Sequence, residues 1–188
     1  TLLGIERDQR YARAQPEQNP PPGFNPEAPA PEPDAPDNFV DPGTLDYTLL
    51  PNFGATTLTT GFLPDPFRVS VISGGTVDVD SLNLGNDCTG YASGAPDYRI
   101  QWTEPGRGTL RIFFVGEGDT VLLVNDSTAT WHCSDDSYGT LHPTVELQAA
   151  PQGQYDIWVA SYSAGAYHDG TLYITELADV TPNNPDGN

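Results

Sequence analysis

The chain has 188 residues and a net charge of −19; its seven basic residues are all arginines. That balance excludes nucleic-acid binding by phosphate neutralisation and attraction to an anionic membrane surface. An apolar fraction of 37%, diluted by 19 prolines, fits one domain plus an arm, with the core outside the proline-rich part.

Residues 1–13 stand apart. Leu2, Leu3, Gly4 and Ile5 make an apolar head, followed by Arg7, Arg10 and Arg13. Glu6 and Arg10, four apart, suit a short helix, which Gly4 and the short length oppose. The head equally suits an extended strand. Residues 14–46 read as a proline-rich linker or arm, with ten prolines between Pro16 and Pro42. Such sequence favours polyproline II and builds no backbone ladder.

From Tyr47 onward the texture changes to short alternating runs separated by Gly, Pro, Asn and Asp, the pattern of an antiparallel sandwich or barrel over residues 47–178. The runs are Thr56–Phe62, Phe67–Ile72, Thr76–Asp80, Tyr98–Thr103, Thr109–Val115, Thr120–Val124, Ala129–His132, Thr144–Gln148, Tyr155–Ser161 and Thr171–Thr175. In Tyr98–Thr103, Tyr98, Ile100 and Trp102 oppose Arg99 and Gln101. The run Thr109–Val115 is apolar on both sides, which predicts a central strand. No amphipathic helix is evident after residue 47. Residues 179–188 read as a flexible tail.

There is no methionine and no apolar run of transmembrane length. The expectation is a mature, exported chain, secreted or at the cell surface, extracellular or periplasmic, without membrane insertion. In that compartment Cys88 and Cys133 read as one disulfide. In a cytosolic chain they would be two buried thiols.

Carboxylates cluster around the cysteines. Asp87 precedes Cys88, and Asp135 and Asp136 follow Cys133. A bridge brings its two Cα atoms to about 5.5–6 Å, so these carboxylates are near enough to converge. Together with Asp97 and Asp119 from neighbouring loops they form a candidate calcium site, since a hard cation takes six to eight oxygens. The alternative is an acidic turn whose side chains cap backbone amides. His132, His142 and His168 have no zinc-ligand spacing. No nucleophile elbow is present, and no enzymatic activity is expected. Trp102 and Trp158 lie within β runs and read as core rather than as a sugar platform. Tyr162, Tyr167 and Tyr173 are a weaker candidate surface, and Asn125-Asp126-Ser127 matches a glycosylation sequon.

An ordered series of segments carries a family resemblance. It comprises Gly61-Phe62-Leu63-Pro64-Asp65-Pro66, Ser73-Gly74-Gly75, Cys88-Thr89-Gly90-Tyr91, Ala95-Pro96-Asp97-Tyr98-Arg99, Gly118–Asn125, Trp131-His132-Cys133-Ser134-Asp135-Asp136, Pro151–Val159 and Leu172-Tyr173-Ile174. Over about residues 54 to 177 the chain resembles the bacterial pre-peptidase C-terminal domain, in a subgroup built around a cysteine pair. The resemblance implies an all-β, antiparallel jelly-roll-like β-sandwich on secreted bacterial proteins. Such domains are often appended to peptidases without being catalytic, and some related ones bind calcium or matrix polymers.

The expected function is a non-catalytic structural or adhesive module. It would be a subunit of a surface assembly or filament, a homo-oligomer or polymer joined to other protein subunits through Leu2, Leu3 and Ile5 of the arm. The alternative is a secreted module that binds a polysaccharide or protein, or an accessory domain of a hydrolase.

Overall fold

The computed structural model describes residues 43–188. The expectations placed on residues 1–13, including Leu2, Leu3 and Ile5, and on most of 14–46 lie outside the described residues. The described part is all-β: eleven strands in two sheets, with a single 3-10 turn at Asp80–Leu82.

The first sheet is built around β10 (Gly153–Ser161). Its first half pairs with β5 (Tyr98–Trp102), and β5 pairs with β1 (Ala55–Leu58) at the edge. Ser161, at its far end, pairs with β4 (Tyr91–Ala92), which pairs with β3 (Val77–Asp78). On its other side β10 pairs with β7 (Thr120–Asn125), and β7 with β8 (Trp131–Ser134). The second sheet runs β2 (Phe67–Ile72), β11 (Asp169–Thr175), β6 (Thr109–Gly116), β9 (Thr144–Gln148). Every pair is antiparallel except β1–β5, which is parallel.

Two departures from the predicted runs have local causes. The first strand stops at Leu58 rather than Phe62, because Phe62 N–H bonds the Thr59 carbonyl and turns the chain. The run at Ala129 begins two residues later, because Asp126 folds the β7–β8 connection into a turn in which Ala129 takes φ 62°. Residues 179–188, read as a tail, are described as part of the fold, with Val180 only 1% exposed.

The main core lies between the sheets. Ile100, Trp102, Tyr155, Ile157 and Val159 from the first sheet meet Leu110, Ile112, Phe114, Leu172 and Ile174 from the second. A second, smaller core covers the outer face of the first sheet. There Val121, Leu123, Trp158 and Ala160 turn outward and are covered by Val79, Cys88 and Ala92, with Trp131 and Cys133 packed alongside. This is why β7 is buried at all six positions and does not alternate. Trp158, expected in the core, belongs to this second cluster, with its ring centroid 5.2 Å from that of Trp131.

The cover is held by the disulfide Cys88–Cys133, whose Cα atoms are 5.0 Å apart. Closing a loop of this length removes about 4 kcal/mol of unfolded-chain entropy. Gly90 allows the covering segment to lie close. Its φ is +85°, and a Cβ there would sit 2.7 Å from the Ser161 carbonyl oxygen.

Candidate metal centre

The β7–β8 register assembles the acidic corner. Leu122 pairs with Ser134 and Leu123 with Cys133. Continuing that ladder, the residues just before β7 lie opposite those just after β8. Asp119 is therefore delivered to Asp135 and Asp136 by backbone pairing. One carboxylate oxygen from each of the three lies within 4.8 Å of the others. Asp119 and Asp135 are half-buried and Asp136 is exposed.

The electrostatics of the corner are unfavourable without a counter-charge. Burial, and then the Asp136 carboxylate, raise Asp119 above the usual carboxylate range, while His168 opposes the shift. Burial also raises Asp135, followed by the charges of Asp136, Asp119 and Asp87. Asp87 thus contributes to the same field, brought there by the bridge beside it. One oxygen on each of Asp119 and Asp135 (Oδ1 in both) is buried and has no hydrogen-bond partner. Buried carboxylate oxygens without a donor are costly. An acidic turn whose side chains cap amides would have satisfied them.

Asp97 is not part of this corner. It is 1% exposed, and its two oxygens accept from the Val159 N–H at 2.7 Å, from Asn52 Nδ2 at 3.2 Å and from Ser93 Oγ at 3.3 Å. Burial pushes its carboxyl up to about 7 despite those bonds. The sequence placed it in a loop before a β run, but its side chain turns inward and is used to tie β10 to the 93–97 segment.

His132 also has a structural partner: its Nε2 lies 2.8 Å from Asp126 Oδ2, in the β7–β8 turn. Asn125, the acceptor of the sequon, is 6% exposed, so the folded chain does not present it. Tyr162 and Tyr167 are about half exposed, whereas Tyr173 lies on the other sheet, stacked on Phe113. Tyr167 borders a shallow groove of about 380 Å³ that is also lined by Asn52, Ile72, Thr76, Ser93 and Asp97.

Two features escaped the sequence reading. His168 lies beside the corner, with its ring over Gly118, where a Cβ would meet it at 2.2 Å. Nothing in the spacing of His168 marks that contact. The other is Arg111, a cation inside an otherwise apolar strand. That oddity was visible, and a buried arginine always requires partners.

The fold and the corner together define a class: a disulfide-stapled, two-sheet β-sandwich with a carboxylate cluster at one edge. No family model matches the chain. No curated protein matches it. Among solved structures it is similar to the pre-peptidase C-terminal domain of a collagenase from Bacillus anthracis, at 13% identity and a TM-score of 0.36, covering 64% of this chain and 92% of that one. It is also similar to a periplasmic inhibitor of g-type lysozyme from Aeromonas hydrophila, at 14% identity and a TM-score of 0.36, covering 64% of this chain and 96% of that one. Among the described residues, no helix is long and apolar enough to cross a membrane.

Proposed function

We propose that the chain is a non-catalytic extracellular or periplasmic module of pre-peptidase C-terminal type, whose disulfide corner binds calcium. The observation that carries this reading is the convergence of Asp119, Asp135 and Asp136, with two buried oxygens left without partners. A carboxylate-only cluster favours a hard cation, and calcium tolerates the irregular, part-hydrated coordination that such an edge site offers. Asp87 lends charge, and carbonyl oxygens and water complete the shell. The disulfide is the support for an oxidising compartment. Isothermal titration of chelator-treated protein tests the site. The expected result is saturable heat with calcium; an absence of heat removes the reading.

The module is further proposed to join copies of itself through its arm. Leu2, Leu3 and Ile5 would add to a neighbour's sheet, and a proline-rich spacer of some 30 residues spans up to about 90 Å. The support here is sequence alone. Electron microscopy of the full chain and of a chain lacking residues 1–43 tests it. Polymers that persist after the deletion would show that the arm is not the connector.

The groove beside Tyr167 favours a second reading, in which the module binds a glycan. An exposed aromatic ring beside the Asn52, Thr76 and Ser93 side chains suits a neutral sugar. A glycan array probed with wild-type protein and with Tyr167→Ala separates this reading from the first.

A further inference from the structure

The outer face of the second sheet is covered by the chain's own last residues, and the manner in which it holds them defines a recognition chemistry. Alternation along β6 and β11 sends Ile112, Phe114, Leu172 and Ile174 into the main core. Arg111, Phe113 and Tyr173 therefore turn the other way. Phe113 and Tyr173 stack, with centroids 4.7 Å apart, and Arg68 lies over the Tyr173 ring at 5.4 Å. Arg111 Nη1 donates to the carbonyls of Leu177 at 3.1 Å, Ala178 at 3.2 Å and Val180 at 2.7 Å. Further on, Arg68 Nη2 pairs with Asp186 at 2.9 Å and reaches the Pro185 carbonyl at 3.4 Å. Phe113 is fully buried, and Val180 is 1% exposed.

The bound segment is Val180-Thr181-Pro182-Asn183-Asn184-Pro185-Asp186. Its pattern is an apolar residue, any residue, then Pro-x-x-Pro-Asp. The face suits that pattern: Arg111 takes the Val180 carbonyl together with those of Leu177 and Ala178 just before it, and Arg68, lying over the Tyr173 ring, takes the Pro185 carbonyl and the aspartate. Its Pro-x-x-Pro-Asp part recurs in the arm as Pro33-Asp34-Ala35-Pro36-Asp37, preceded by Pro31 and Glu32 where the strap has Val180 and Thr181, and carrying two further carboxylates, Glu32 and Asp34.

We propose that the face formed by Arg68, Arg111, Phe113 and Tyr173 is a docking site for Pro-x-x-Pro-Asp segments, whose partner is residues 31–37 of a second copy of the chain. The C-terminal segment is then a strap that the incoming arm replaces. A tethered strap competes at an effective concentration in the millimolar range. Dilute chains keep their own strap, and exchange occurs where copies are crowded together, as in a surface assembly. This docking is independent of strand addition by residues 1–13: a chain lacking those thirteen residues retains it.

The test is a titration of the isotope-labelled full chain with an unlabelled peptide of residues 30–38, followed by NMR. Saturating shifts are expected at Arg68, Arg111, Phe113 and Tyr173, with displacement of the Asn183, Asp186 and Gly187 signals. In the Asp186→Ala chain, changed at an exposed residue, the strap competes less, and half-saturation falls about fivefold, the size of one exposed ion pair. A peptide carrying Asp37→Ala binds about fivefold more weakly for the same reason. No shifts up to about 5 mM peptide, a concentration that matches the strap's own, overturns the proposal. So do shifts confined to other faces, or equal binding by the Asp37→Ala peptide.

Discussion

Asp97 is a carboxylate that the fold uses as a backbone acceptor, and its chemistry sets a pH dependence. Burial raises its carboxyl to about 7 in the folded chain, against an ordinary 3.8, and the bonds from Val159, Asn52 and Ser93 only partly offset this. The folded state thus holds a proton that the unfolded chain releases. Stability is predicted to fall as pH rises from about 4 to about 7, by at most about 1.4 kcal/mol per pH unit. Urea unfolding at pH 4.5 and 7.5 measures it, and Asp97→Asn flattens that slope. Asp97→Ala costs about 2–3 kcal/mol, because the Val159 N–H is left buried without an acceptor. Asp126 has the opposite sign. Burial opposes ionisation, but bonds from His132, Thr128 and Thr130 outweigh it and lower the carboxyl to about 2. Its contribution is present above about pH 4 and is lost as pH falls toward 2. Sequence could not separate these two aspartates, since both stand at the edge of a β run and differ only in where their side chains turn.

At the scale of elements, two arginines, the buried Arg111 and the half-buried Arg99, fasten irregular segments to the sheets. Arg99, outward-facing on β5, pairs with Asp156 at 2.6 Å and donates to the Leu49 carbonyl at 3.0 Å. Arg111 does the same for the C-terminal strap, with Glu146 as its partner at 2.8 Å. Arg111→Met is predicted to cost about 3 kcal/mol, because three carbonyls lose the guanidinium as a donor and Glu146 loses its ion-pair partner. Hydrogen exchange would show the loss of protection concentrated in residues 177–188. The strands themselves were largely legible, because alternation such as Tyr98-Arg99-Ile100-Gln101-Trp102 reports one buried face. The two-residue β4 was not, since Tyr91-Ala92 is too short to show a period. The strap was also missed: its Thr, Pro, Asn and Gly residues carry no periodic signal, and it is held by partners distant in the chain.

For the whole molecule, both sheets are covered on their outer faces, one by the cystine-bearing segment and the other by the strap. The Cys88→Ser, Cys133→Ser double variant is predicted to lose about 4 kcal/mol. The fluorescence of Trp131 and Trp158 reports the uncovering, shifting red as the second core admits water. The acidic corner was partly legible, because Asp87, Asp135 and Asp136 adjoin the cysteines. Asp119 and Asp97 were both candidates from neighbouring loops; only the β7–β8 register, which spacing alone does not reveal, separates Asp119, which joins the corner, from Asp97, which does not.

The central claim, a calcium site built from Asp119, Asp135 and Asp136, is tested most directly by thermal melting. Chelator-treated wild-type protein and Asp119→Asn would be melted with and without calcium. With calcium at about 100 times its dissociation constant, the wild-type chain gains about 2.7 kcal/mol and melts roughly 5–10 °C higher. Asp119→Asn shows no such rise, and without calcium it is at least as stable as wild type, since one repelling charge is gone. A wild-type melting temperature unmoved by calcium, or an equal rise in Asp119→Asn, would contradict the account.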